Sequence, residues 1–236
     1  MEVWYLEHSG FAVQTAGHLF IFDYYKDEPR GCGMAKGVID PGEIAGLDTV
    51  VLVSHRHPDH YNPKIFSWRK QVPQIRYVLS SDLHTKEEAY FLKPGQTLAL
   101  SDLTVRALES TDLGCAFLVK ADGCSIFHAG DLNWWHWDGE PEEDNQQMGQ
   151  RYREQIDLLK GEAIDLAFVP VDPRLGPDKC LWGLDYLMTT LQPAAAVPMH
   201  FWGDFGIFDR IAADPRTAPY RDRVLTLTRR GQKLTL

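Results

Sequence analysis

The order of strand-like and helix-like segments predicts an α/β (α+β) fold, two mixed β-sheets packed face to face with helices outside. Two observations carry this. Short apolar runs at hairpin spacing open each half of the chain, and later runs in each half alternate with helical segments. No linker, low-complexity segment or short-period repeat interrupts the 236 residues, so the reading is one domain over 1–236. A folded chain of this length hides roughly 70% of the surface its unfolded form exposes. With 44% hydrophobic and 24% charged residues that makes one sizeable core, which excludes disorder and staple-dependent mini-folds.

In order along the chain, Val3–Leu6, Phe11–Gln14 and His18–Asp23 are β-like runs separated by Gly10 and Gly17, a pattern of antiparallel hairpins. The stretch Tyr24–Asp40, with Gly31, Gly33 and Gly37, is expected to be a loop outside the core, with glycines that would permit a lid. Thr49–Ser54 is apolar and β-branched without alternation, as a fully buried strand is. Pro63–Gln71 reads as a short helix with proline in its first turn, and Ile75–Leu79 as a strand. Thr104–Leu108 precedes a hairpin, Ala116–Lys120 and Ser125–His128, turning on Asp122-Gly123. Tyr152, Ile156 and Leu159 share one face of a helix over Gln146–Lys160. Ile164–Pro170 and Ala194–Met199 are buried-strand candidates flanking a helix near Leu184–Leu191, and Arg223–Thr228 with Lys233–Leu236 reads as a closing hairpin.

Twenty-four Lys+Arg against 33 Asp+Glu leave a net charge of −9, which argues against binding a phosphate backbone and makes nucleic acid an unfavoured partner. The first residues carry no basic and apolar leader pattern, and no apolar run reaches the roughly 18 residues that span a bilayer. Cys32, Cys115, Cys124 and Cys180 are scattered with no C-x-x-C pair, the usage of a reducing compartment. A cytoplasmic protein without a membrane partner is expected; oligomerisation stays open.

Chemistry concentrates in Ser54-His55-Arg56-His57-Pro58-Asp59-His60, directly after the buried strand. Three imidazoles and a carboxylate on one loop can converge on one or two cations, and these ligand types suit zinc and its first-row neighbours. A lone histidine is more often structural, but four ligand-type side chains at a strand end weaken that reading. His128-Ala129-Gly130-Asp131 ends another strand, with Gly130 letting the backbone pass close and Asp131 supplying a bridging oxygen. His200 ends a third. The stretch Asn133-Trp134-Trp135-His136-Trp137 either caps the sandwich edge or forms a pocket wall in which Asn133 and His136 contact substrate. Trp202 is read the same way, and His8 as a pocket residue.

The spacing H-x-H-x-D-H, followed by a strand-end Gly-Asp and a strand-end His, resembles the metallo-β-lactamase-fold hydrolase superfamily. The opening Leu6-Glu7-His8-Ser9-Gly10-Phe11 with Leu19–Asp23 is similar to its branch containing L-ascorbate-6-phosphate lactonase. The resemblance spans about residues 3–228. It implies a four-layer αββα sandwich with a metal centre at one edge, between the sheets. It also implies that His55 and His57 hold a first metal, that Asp59, His60 and His200 hold a second, and that Asp131 bridges them. The superfamily's further first-site histidine has no counterpart in Leu108–Gly114, where Asp112 can replace it as an oxygen ligand or Ser110 and Thr111 can hold a water, unless His8, His84 or His136 reaches in from elsewhere. One or two divalent metals are expected, zinc first, with manganese or iron as alternatives.

A metal with an open position lowers the pKa of its water toward ~7 and yields hydroxide at neutral pH. Asp59 would orient that nucleophile and accept its proton. No G-x-S-x-G elbow supports a covalent serine mechanism. The leading reading is a metal-dependent hydrolase of a small ester, lactone or phosphoester, with a small-molecule substrate that the metals allow to be anionic. The alternatives are a nuclease-like phosphodiesterase and a non-catalytic metal-binding or interaction protein with a degenerate first site.

Overall fold

The computed structural model describes all 236 residues. Strands β1 (Glu2–Glu7), β2 (Gly10–Gln14) and β3 (His18–Phe22) form an antiparallel meander, and β4 (Asp48–Val53), β5 (Arg76–Ser80) and β6 (Tyr90–Leu92) continue it in parallel. Strands β7 (Thr97–Ala99), β8 (Leu103–Glu109), β9 (Cys115–Ala121) and β10 (Cys124–His128) form the second meander. Helix α1 (Glu142–Asp157) leads to β11 (Leu166–Pro170); α2 (Gly176–Lys179) and α3 (Trp182–Thr190) lead to β12 (Ala195–Met199). Helix α4 (Gly206–Ala213) precedes β13 (Lys233–Thr235). The two sheets run β13-β1-β2-β3-β4-β5-β6 and β12-β11-β10-β9-β8-β7. These are the expected two mixed sheets with flanking helices.

Strands β3 and β4 show why buried runs lack alternation. Phe20, Phe22, Val50 and Leu52 face the 50-residue core between the sheets and under the helices. Their neighbours Leu19, Ile21, Val51 and Val53 face a second, 19-residue core on the outer side of the first sheet. Both faces are covered, so every position is apolar. Residues 24–40, expected outside the core, supply part of that cover: Met34, Val38 and Ile39 are buried there, and Arg230 binds the main-chain oxygens of Lys26 at 2.8 Å and Gly37 at 2.7 Å. This segment is packed and pinned, not a hanging lid.

Other expectations change too. Pro63–Lys70 is a 3-10 helix, capped by the Asn62 side chain. The C-terminal segments do not form a hairpin. Val224 bridges Ala196 at the edge of the second sheet, whereas β13 pairs with β1 in the first. The chain end therefore crosses from one sheet to the other. Strands β6 and β7, each three residues long, were too short to show a period in the sequence.

Candidate metal centre

Loops leaving the ends of β3, β4, β10, β11 and β12, with the β1–β2 turn, meet at one edge of the sandwich. After β4, the main-chain oxygen of His57 accepts from the N–H of His60 at 3.0 Å and of Tyr61 at 3.1 Å. This single turn presents His55, His57, Asp59 and His60 from one short loop. Gly130 (φ 54°) lets the β10 loop lie against Ser54, whose Cβ would stand 2.7 Å from any Cβ placed there. Gly114 (φ 76°) does the same from the β8–β9 turn, where an added Cβ would be 2.0 Å from the Ser54 carbonyl oxygen. His8, Asp23, His200 and Trp202 have φ of 55°, 44°, 61° and 54°. Left-handed backbone at four non-glycine residues around one point is strain that the packed scaffold must hold.

Asp131 is the hub. Its Oδ1 lies 3.1 Å from His60 Nε2 and 3.4 Å from His200 Nε2, and its Oδ2 lies 3.3 Å from His55 Nε2. Each ring is held from behind. His60 Nδ1 donates to Asp23 Oδ2 at 2.7 Å, and His200 Nδ1 donates to Asp172 Oδ2 at 3.0 Å. Ser54 Oγ donates to Asp23 Oδ2 at 2.6 Å and so accepts from His55 Nδ1 at 2.9 Å. A carboxylate accepts only, so these bonds put the Nδ1 protons outward and leave Nε2 lone pairs facing Asp131.

Three groups of ligand atoms lie within 4.8 Å of one another at this edge: His8, Asp59, His60 and His200; His55, His60 and Asp131; and His57, Asp112 and Asp131. The buried Nε2 atoms of His8, His55 and His60 and the Oδ1 of Asp131 have no hydrogen-bond partner. Lone pairs of imidazole and carboxylate converging without a donor are costly unless a cation sits among them. The residues therefore fit a divalent metal. Borderline imidazole and carboxylate donors without thiolate suit zinc, manganese or iron alike.

The electrostatics agree. Burial opposes charge on Asp131, yet the His60, His55 and His200 rings hold its carboxyl well below the usual carboxylate range. Burial likewise opposes a charged His60, but Asp131 and Asp23 raise its pKa well above the ordinary imidazole value, so that a proton is retained where no metal replaces it. Asp59, part-buried, is held down chiefly by His8 and His60 against the opposing effect of burial. His128 is different: burial lowers its pKa, it donates through Nε2 to the Ser9 carbonyl at 2.8 Å, and it accepts from the Gly130 N–H. It braces the Gly130 turn and offers no lone pair to the site.

His8 belongs with the ligand-type side chains more than with the pocket wall: its Nε2 is 3.5 Å from Asp59 Oδ2, and its ring lies 4.1 Å from that of His200. Asp112 stands 3.9 Å from His57 Nδ1, on the side where the expected histidine is missing. Above these groups opens a cavity of about 340 Å³, walled by Trp135, Trp137, Met148, Arg174 and Trp202. Asn133 and His136 are not on that wall. Asn133 turns its side chain toward α3, against Gly183, and His136 faces Trp182, with ring centroids 5.0 Å apart, in a separate surface cleft. The connection after β10 alternates sides, so Trp135 and Trp137 face the cavity while Asn133 and His136 face away. Thr111 ties that connection down, accepting from the Asn133 N–H at 2.9 Å and donating to its carbonyl at 2.7 Å.

Sequence reasoning passed over Asp23, Asp172 and Arg174. Asp23 and Asp172 are carboxylates one and two residues past apolar strands, the same placement that singled out Asp131 and His200, so the signal was there.

The family model of the beta-lactamase superfamily domain matches residues 2–140. A protein of Opitutus terrae named UPF0173 metal-dependent hydrolase is 27% identical, covering 96% of this chain and 97% of its own. One of the same designation from Thermococcus kodakarensis is 25% identical over 91% and 89%. Among solved structures, Igni18, a metallo hydrolase from Ignicoccus hospitalis, shares the fold at a TM-score of 0.64 with 16% identity, covering 99% of this chain and 97% of that one. The motif order, the paired sheets and the family match agree, and this chain belongs to the beta-lactamase superfamily.

Proposed function

We propose that this metal-dependent hydrolase holds two neighbouring divalent cations and cleaves a small ester, lactone or phosphoester in the cavity above them. One cation would be held by His55, His57, Asp131 and Asp112. The other would be held by Asp59, His60, Asp131 and His200, with His8 close enough to join. The observation that carries the reading is the buried, unpartnered Nε2 atoms of His55 and His60 turned toward Asp131, with that of His8 beside Asp59, beneath a walled cavity. The metals supply Lewis acidity and water activation.

The chain's own groups do the rest. Asp23, Ser54 and Asp172 fix three imidazole tautomers from behind. Asp59, kept ionised, orients the attacking water and takes its proton at a carboxylate oxygen. Trp135, Trp137 and Trp202 limit bulk water and shape the entrance. The lactone and phosphoester options rest on the likeness of Leu6–Phe11 to the ascorbate-6-phosphate lactonase branch. A cavity of about 340 Å³ suits a small molecule better than a polymer, which disfavours the nuclease-like alternative. A cytoplasmic site of action is part of the proposal; the four cysteines are unpaired, and no helix is long and apolar enough to cross a membrane.

Metal analysis tests the reading. The zinc-loaded protein is expected to carry two equivalents and Asp112→Ala one. Two equivalents retained in Asp112→Ala would remove Asp112 from the ligand set. Full loading with no turnover across a panel of esters, lactones and phosphoesters would refute the hydrolase reading itself.

A further inference from the structure

Arg174 is a cation on the wall of a cavity whose other charged side chains include Asp59, Asp112 and Asp131. Its Nε lies 3.0 Å from both Asp172 oxygens and its Nη2 2.5 Å from one of them, while the guanidinium stands 4.5 Å from the Trp202 ring and 5.5 Å from that of Trp137. Nη1 is the arm of the guanidinium with no bond to Asp172, and the side chain is half exposed. Bracing His200 does not need this arrangement. Asp172 also accepts from His200, from the Trp202 indole at 3.1 Å and from the Arg174 main-chain N–H at 2.9 Å. A guanidinium held in one orientation by a carboxylate and two indoles has little freedom left to lose when it meets a ligand.

Charge points the same way. Two divalent cations together with Arg174 offset the five carboxylates Asp23, Asp59, Asp112, Asp131 and Asp172, so the loaded site carries no net negative charge to repel an anion.

We propose that Arg174 is an anion anchor, and that the substrate carries, besides its scissile ester, lactone or phosphoester, a second anionic group received by the outward guanidinium edge. The apolar span between the two groups would lie along Trp137 and Trp202. This rests on the hydrolase reading for the scissile group but not for the anion. A carboxylate or a phosphate would satisfy the same fork.

Two matched pairs test it on the zinc-loaded protein. Mono-4-nitrophenyl glutarate and 4-nitrophenyl butyrate differ by one terminal carboxylate and report turnover. Glutarate and butyrate report binding by calorimetry, with 4-phosphonobutyrate as the arm that separates phosphate from carboxylate recognition. In wild type the member of each pair with the additional carboxylate is expected to win by about tenfold or more, in kcat/KM and in Kd, the scale of one charge-assisted hydrogen bond. In Arg174→Gln both ratios are expected to fall to about one, and Arg174→Lys keeps part of the preference. Metal content and melting temperature of each variant show whether His200 has been disturbed. Ratios that survive in Arg174→Gln, or are near one in wild type, overturn the anchor. Arg174-dependent glutarate binding with no turnover of either ester or of the panel of esters, lactones and phosphoesters refutes the hydrolase reading and leaves the anchor standing. Turnover with no dependence on Arg174 does the reverse.

Discussion

Asp23→Asn is the most discriminating single change. Asp23 is buried and accepts from the Ser54 N–H at 2.7 Å, Ser54 Oγ at 2.6 Å and His60 Nδ1 at 2.7 Å. Asparagine has nearly the same shape, and its one oxygen is needed at the Oδ1 place, where the fixed Ser54 N–H must find an acceptor, so the amide nitrogen takes the Oδ2 place shared by the adaptable Ser54 hydroxyl and His60. Its amide nitrogen would then face His60 Nδ1, so the His60 proton must move to Nε2, the atom aimed at Asp131. A ring protonated on Nε2 is no ligand. Loss of such a supporting partner typically lowers metal affinity about 10–100-fold, or roughly 1.4–2.7 kcal/mol. Asp23→Ala is the control, because it removes the acceptor without supplying a wrong donor. The tautomer account expects Asn to weaken zinc binding at least as much as Ala does, although Asn is the smaller steric change. Competition with a chromophoric chelator measures both, with circular dichroism to confirm folding. Wild-type zinc affinity in Asp23→Asn, or a far larger loss in Asp23→Ala, would refute the reasoning.

Three further outcomes are expected. His18, remote from the candidate metal centre, lies 3.0 Å from Asp102 and 2.8 Å from Asp122; burial opposes its charge, but these carboxylates raise its pKa, while Asp122 is pushed down to about 2. The raised histidine stabilises fully below its unfolded pKa of ~6.5, and that contribution disappears as pH rises through the folded value; the lowered aspartate contributes above ~3.9 and loses its part as pH falls toward about 2. The melting-temperature gap between wild type and His18→Gln should therefore be widest between about pH 4 and 6.5 and shrink toward pH 9, and a flat gap in melts across that range would contradict it. Gly114→Ala, which puts a Cβ 2.0 Å from the Ser54 oxygen at φ 76°, should lose at least about 2 kcal/mol in urea titration, whereas Gly123→Ala at a similar φ but with open space around it should lose less. Chelator treatment should lower the wild-type melting temperature and lower by less that of His60→Ala, which keeps only the His55 and His57 site.

Much of the site was legible because strand-end placement is a local signal. His55 to His60, Asp131 and His200 could each be located from an apolar run and the residue after it. The pocket wall was less so. Which side Asn133 or His136 faces depends on a connection that follows no strand or helix period, and Thr111, far along the chain, sets it. Asp172 and Arg174 bond each other directly, but they join the site only through His200 and two indoles that come from two other segments. The fold failed to read through where elements were too short for a period, as in β6 and β7, or where a chain end had two edges to choose between, as at Val224 and β13. The pinned 24–40 segment misled for another reason: its glycines mark turns, and four apolar side chains spread over 16 residues, Tyr24, Met34, Val38 and Ile39, anchor it without any pattern.

The ligand-type residues come from both halves of the sandwich. The first sheet and its loops bring His8, His55, His57, Asp59 and His60; the second brings Asp112, Asp131 and His200. A cation among them is thus a rivet through two plates as well as a reagent. Free metal at 100 times its Kd would add about 2.7 kcal/mol to the folded state, and that gain is felt where the plates part first. Amide exchange at the open ends of β4, β10 and β12 should slow on metal loading far more than exchange at the distant His18 end. The same joint makes metal supply a control on how readily the open edge can breathe.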